Sequence, residues 1–391
     1  MFNKVFDAVI IGGGAAGFFA AIAAREKQLL ILEQTNQLLS KVKVSGGGRC
    51  NVTHACFDPV KLVGFYPRGG KALRGAFSRF QPQDTIDWFG KRGVILKTEE
   101  DGRVFPITDD SSTIVDCFLK ETKAEIRKRQ KVEDLFYKEG LFHIVTREGE
   151  LLSKKLLLAT GGSRAGHELA AKLGHTIVEP VPSLFTLNIP NSPLRDLAGI
   201  SFDEVALKLD CCSYVSKGPL LVTHWGFSGP AVLKLSAWAA RDLHDCGYKA
   251  KLKANWVGRS FDEVYELLLE EKQKSSSRQV EKNPMFSLPK RFWQTVVKFD
   301  GRWGAFPKKE IRELARRLAA DEYSVDGKTA FKQEFVTAGG VALNEVDFKT
   351  MESKLVPGLH FAGEILDIDG VTGGFNFQNA WTTGFLAGSA L

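Results

Sequence analysis

Val5–Ile11 is apolar apart from Asp7, and it runs directly into Gly12-Gly13-Gly14-Ala15-Ala16-Gly17. Few backbones accept that order of residues. An apolar run ended by glycines and followed by small residues reads as a buried strand, a tight turn and a helix. A second apolar run, Leu29–Leu32, ends at Glu33 and Gln34. Strand, glycines, helix, strand and acid in this order predict a dinucleotide-binding βαβ unit. Gly12 permits the tight turn, Gly14 lets the backbone approach a pyrophosphate, and Gly17 lets helix pack closely on strand. Ala15 and Ala16 open the helix, whose free N–H groups and positive dipole end then face the phosphates. Glu33 is placed to accept hydrogen bonds from ribose hydroxyls. The other reading of Val5–Ala24 is a membrane segment, and Asp7, the four glycines and the missing basic leader argue against it.

Further motifs extend along the chain. They are Ser45-Gly46-Gly47-Gly48-Arg49-Cys50-Asn51, Glu99–Pro106, Thr223-His224-Trp225-Gly226-Phe227-Ser228-Gly229-Pro230 and Thr337-Ala338-Gly339-Gly340-Val341. With the tail from Lys349 onward, they make the chain resemble the BaiN-like bacterial flavoprotein family over nearly its whole length. That resemblance implies an NAD(P)/FAD-dependent oxidoreductase, with aminoacetone-oxidase-like members among its relatives. One departure stands out. After Leu157–Gly162 the family carries a longer loop containing Tyr, Pro and Gly, whereas only Ser163–Gly166 precedes the next helix here.

The resemblance, joined to the glycine turn, makes FAD the expected cofactor. In flavoproteins of this kind, a strand such as Leu359–Gly363 with Glu364, Asp367 and Asp369 lies along the ribityl phosphate. Thr372-Gly373-Gly374-Phe375-Asn376 then opens a last helix, Phe375–Ala387, whose N-terminus favours the anionic reduced flavin. Asn376 and Gln378 are expected as donors to the ring carbonyls. Lys41, Val132 and Ala159-Thr160-Gly161 complete the expected cofactor set. Ser45–Asn51 is expected at the reactive edge, where three glycines allow close backbone contact. There Arg49 would hold pyrophosphate or an anionic substrate, and Cys50, Asn51 or His224 would serve catalysis. No second dinucleotide fingerprint follows Ala159–Gly162, so NAD(P)H is expected as a transient reductant. The implied reaction is reduction of an activated C=C bond, with uridine in ribosomal RNA as one substrate. Alternatives are a small-molecule enone reductase, an oxygen-using amine oxidase, or an RNA-binding flavoprotein whose FAD is structural.

The fold class expected is α/β. A Rossmann-like, glutathione-reductase-type FAD domain covers 1–190 and 336–391, and 191–335 is inserted, with 191–257 barrel-like and 258–325 basic and helical. Ser111–Arg129 reads as one helix behind Ser/Thr caps. At 391 residues and 44% apolar, the chain can bury a large core. Its six cysteines show no CxxC and no metal spacing, which suits reduced thiols in the cytoplasm. The net charge is +7, yet residues 271–317 alone hold 13 Lys/Arg against 5 Asp/Glu. Aromatics interleave with those cations, a composition that suits nucleic acid or, equally, helices with an aromatic core.

Overall fold

The computed structural model describes residues 4–24, 28–329 and 336–391. Two compact units divide the chain, Met1–Pro182 with Lys332–Leu391, and Ser183–Phe331.

In the first unit, strands β1 (Val5–Ile11), β2 (Leu29–Glu33), β3 (Glu125–Lys128), β4 (Gly149–Leu158) and β5 (Leu359–Phe361) lie parallel in the order β5-β4-β1-β2-β3. Val9 stands opposite both Leu30 and Leu156, and Phe361 opposite Leu158. All of these residues are buried, as parallel strands covered on both faces require. Helix α1 (Ala15–Ala23) follows β1, α2 (Arg164–Lys172) follows β4, and α3 (Phe375–Ala390) follows β5. In α3, Cβ atoms at Gly384 or Gly388 would strike the backbone oxygens of Ala16 and Ala20, so α1 and α3 touch backbone to backbone. Phe19 packs on Trp88 at 4.6 Å and on Trp381 at 5.5 Å, joining the two helices to Pro82–Gly90.

Ser111–Arg129 is not one helix. The helix covers Ser112–Glu121, and its buried stripe is Ile114, Cys117 and Phe118. The positions that would continue this stripe, Glu121, Thr122 and Glu125, are polar, so the chain turns extended at Thr122 and forms β3 beside β2.

The second unit is built on a seven-stranded sheet. Strands Ser201–Leu209, Val215–Val222, Lys249–Asn255 and Asp321–Asp326 pair antiparallel within it. The sheet also takes in 186–188 and 321–329, outside the 191–257 stretch expected to hold the strands. Helices Pro230–Trp238 and Ala240–Asp245 interrupt that stretch, the first with proline at its opening position and Ala231, Val232 and Leu235 buried along one face. Aromatics of the basic segment are core. Phe292 lies 4.8 Å from both Trp256 and Phe202, Trp303 is fully buried, and the Trp293 indole donates to the Val280 carbonyl.

Candidate cofactor and active site

The glycine turn sits at the carboxyl ends of β1 and β4. Gly12 has φ +118°, and a side chain there would collide with the Ala159 carbonyl. A Cβ at Gly17 would collide with the Gly12 oxygen, whereas one at Gly14, the N-cap of α1, meets nothing within 4 Å. The end of α1 is therefore open where a phosphate is expected. Glu33 accepts from Gly13 N at 3.0 Å and Thr35 N at 2.8 Å, which fixes its carboxylate at the end of β2 beside exposed Gln34. Gln130 N bonds the Glu33 carbonyl, so Val132 begins its strand close by. Ala159 N donates to Ile11 O, and the buried Thr160 hydroxyl has no hydrogen-bond partner among the described residues. An open helix end, a fixed carboxylate and an orphaned hydroxyl beside Gly161 fit a dinucleotide.

The C-terminal half meets the same strand ends. Lys41 reaches Glu364 at 2.6 Å, and the other Glu364 oxygen accepts Thr337 N at 2.9 Å. Gly363 N donates to the Thr383 hydroxyl. The 45–51 loop joins the start of α3. Asn51, with its amide donating to Thr53 O at 2.9 Å, accepts from Gly374 N at 3.0 Å, and Trp381 donates to Val52 O. Gly46, Gly47 and Gly48 all have positive φ, and Cβ atoms at the last two would meet nothing within 4 Å. The loop thus offers bare backbone, with Gly48 O anchored by Ser111 N and the Ser45 hydroxyl by Val42 O.

Several expected roles change. Arg49 stacks on Phe105 at 4.0 Å and pairs with Glu99 at 2.7 Å and Asp109 at 3.5 Å, so its charge is matched within the protein rather than held for pyrophosphate. The Glu99 hydrogen bond raises its pKa further. Cys50 is fully buried at φ +60°, and burial pushes its thiol up to about 12. Its closure to solvent on a packed loop favours a packing role over proton donation. Asn51 clasps the loop to the helix through both ends of its amide. Asn376 is engaged at both ends with Gly370, each bond 2.8 Å. Gln378 is fully buried, accepting from Thr53 and Thr85 and donating to Thr382, so its oxygen and one of its two N–H groups are used within the protein. The Phe375 ring stacks on Phe65 at 4.3 Å and His54 at 4.7 Å, and the residue is buried. Asp369 is fully buried against Arg68, its guanidinium bonded to both carboxylate oxygens.

Sequence reasoning missed the segment that makes those last contacts. Tyr66 OH donates to Phe375 O at 2.6 Å, Val371 N to Phe65 O, and Arg68 bridges to Asp369. Residues 65–70 strap the 369–375 turn, and the signal was an arginine directly before Gly69-Gly70. The shortened loop after Gly162 is also tighter than expected, because Arg164–Gly166 already form the first turn of α2 behind an Ser163 cap. His167, one residue further, is buried with both ring nitrogens shut from solvent, and it borders a cavity of about 560 Å³ with Gly162, Glu168, Ile177 and Glu179.

His224 belongs to the second unit, where it is exposed on the turn Thr223–Gly226. Among the described residues no cluster could hold a metal ion, and no helix is long and apolar enough to cross a membrane.

A family model described as the HI0933-like protein Rossmann domain matches residues 6–390. The chain belongs to that family. Its members are FAD-dependent oxidoreductases, and the chain is an enzyme of this class with a flavin cofactor. It is 28% identical to the 3-dehydro-bile acid delta(4,6)-reductase of Clostridium scindens, over 93% of each chain. It is 30% identical to the ribosomal RNA dihydrouridine synthase of Escherichia coli, over 97% of this chain and 96% of that one. A 3-ketosteroid delta1-dehydrogenase from Sterolibacterium denitrificans shares the fold, with a TM-score of 0.50 at 12% identity over 98% of each chain.

Proposed function

We propose that this flavoenzyme reduces an activated C=C bond, that uridine in RNA is its substrate, and that NAD(P)H is its reductant. The observation that carries the RNA reading is a set of unmatched cations. Lys274, Arg278, Lys282, Lys290, Lys298, Arg302, Lys308 and Lys309 are all exposed and form no ion pair among the described residues. A small neutral substrate needs no such surface, whereas a phosphate backbone does. The 30% identical relative bears the name of an RNA-modifying enzyme, which supports the same reading.

Bound FAD supplies hydride transfer. Dihydrouridine differs from uridine by two hydrogens, a hydride added at C6 and a proton at C5. The protein's part is to hold the cofactor on Gly12–Gly17 and Glu33, to present the bare 45–48 backbone, and to deliver the proton. With Cys50 buried, the donor in this proposal is a group other than Cys50.

The test is to incubate RNA with purified protein and NADPH or NADH, digest it, and count dihydrouridine by mass spectrometry. New dihydrouridine is expected, and none with either donor would reject the reading. Replacing Lys290, Lys298, Lys308 and Lys309 by Ser should flatten the salt dependence of RNA binding by about 0.7–0.9 of a log unit per lost contact, with FAD content unchanged. Arg291 is left in place because it bonds the Asp196 carbonyl.

A further inference from the structure

Of seven tryptophans, six are buried or half-buried, and Trp225 alone is exposed, at 58%. Its turn is held rigidly. Thr223 N donates to Gly226 O at 2.8 Å, Gly226 N to the Thr223 hydroxyl at 3.2 Å, and Ile189 N to Trp225 O at 2.7 Å. Gly226 lies against the Leu187 carbonyl so closely that no Cβ fits, so the turn cannot fold back to bury the indole. Single exposed apolar side chains are ordinary, but a tryptophan on a fixed support presents a large rigid face, and tryptophan is enriched where proteins make contacts.

What meets the ring is indicated by its surroundings. Outward positions of the adjoining strand Val215–Val222 include Lys217, exposed and without an ion pair among the described residues. The stretch 189–200 links the turn to the basic segment, because Ile189 bonds Trp225 at one end and the Asp196 carbonyl holds Arg291 at the other. Lys290 precedes Arg291 and is itself exposed and unmatched. A flat π-face and unmatched cations carried on one hydrogen-bonded support combine the two elements that bind single-stranded nucleic acid, base stacking and phosphate contact.

We infer that Trp225 is a stacking platform for an unpaired RNA base, in a single-stranded RNA site shared with the cations around Lys290. The inference rests on the RNA reading given above and assigns its base contact. The indole supplies a sequence-tolerant face, and the lysines hold the flanking phosphates. Neither contact alters FAD binding.

The experiment uses the full-length, FAD-loaded protein and two labelled probes, a short oligouridylate and an abasic oligomer with the same phosphate backbone. Trp225→Ala should weaken oligouridylate binding by roughly 5- to 150-fold, the range for losing one stacked base, while abasic binding and the salt slope stay the same. Trp225→Phe should keep most of the affinity, and oligouridylate should quench tryptophan emission in the wild type more than in that variant. The exposed side chain makes both variants safe for folding, which FAD content and thermal unfolding check. Unchanged oligouridylate affinity in Trp225→Ala overturns the inference, as does equal loss for both probes. If Trp225 governs oligouridylate binding but no dihydrouridine forms in any RNA, stacking stands and the proposed reaction fails. If dihydrouridine forms equally well with Trp225→Ala, the reaction stands and stacking fails. A wild type that does not bind oligouridylate overturns both.

Discussion

Gly14 and Gly17 allow the cofactor's demands to be separated from those of the fold. Gly14 has φ −98° and ψ −167°, a backbone any residue can adopt, and a Cβ there has no neighbour within 4 Å. Gly14→Ala should therefore leave the apoprotein intact, and even stabilise it by about 0.4–1 kcal/mol through the unfolded chain. The added methyl, however, stands at the open end of α1 where the phosphates must come close. Losing a charge-assisted hydrogen bond costs about 1.5–3 kcal/mol, or roughly 10- to 150-fold in Kd for each bond. Gly17→Ala behaves differently, because its methyl would strike the Gly12 carbonyl and lift α1 from β1. It should lower apoprotein stability and FAD binding together. FAD titration followed by flavin fluorescence, with thermal unfolding of each apoprotein, separates the two outcomes. An FAD affinity for Gly14→Ala within about threefold of wild type would refute the placement of the pyrophosphate. Gly14→Glu, which brings a carboxylate to the same point, should strip the flavin entirely.

Cys50→Ala should keep turnover within about twofold with FAD still bound; a slowing of substrate reduction by about 10²–10⁴ in steady-state rates would return Cys50 to catalysis. Asp369→Ala leaves Arg68 half-enclosed without its carboxylate and should cost about 3–5 kcal/mol in urea unfolding, and a loss below about 1 kcal/mol would show the pair to be dispensable. Burial lowers the pKa of His167, His175 and His360 below the ordinary 6.5, so the unfolded chain binds the extra protons first. Stability should be full above about pH 6.5 and fall as pH drops through the folded values, and His167→Gln should reduce that slope in a pH series of unfolding curves.

The βαβ unit was legible because it depends on neighbours in sequence: an apolar run, glycines where no side chain fits, and an acid after the second strand. The joining of Ser45–Asn51 to the last helix was legible only as two motifs with a shared cofactor. Which polar groups would be consumed in that joining was not. Arg68 and Asp369 are 301 positions apart, and Thr53 and Gln378 are 325 apart. No local pattern says that Arg49 will meet Glu99 and Asp109, or that Asn376 will turn back on Gly370. The same limit applies to the basic segment. Periodicity could not tell whether Phe292, Trp293 and Trp303 face water or core, and only the Trp256 and Val280 partners decide it. Ser111–Arg129 misled for a related reason, since helix propensity outlasts the buried stripe that holds the helix in place.

The backbone contact between α1 and α3 has a consequence for how this enzyme is made. Phe19 is among the early residues synthesised, while Trp381, Gly384 and Gly388, which cover α1, come more than 300 positions later. At about 5–20 residues per second, α1 waits roughly 15–70 s on the ribosome for its lid. Throughout that interval Phe19 can meet Phe80, Trp88 and Phe118 but not Trp381, and the flavin cradle has one wall. The intervening 183–331 unit, contiguous in sequence, can complete its own core in the meantime. Flavin capture is then the closing event of biogenesis, and a chain cut short between the second unit and α3 carries a complete 183–331 unit and a first unit unable to retain its cofactor.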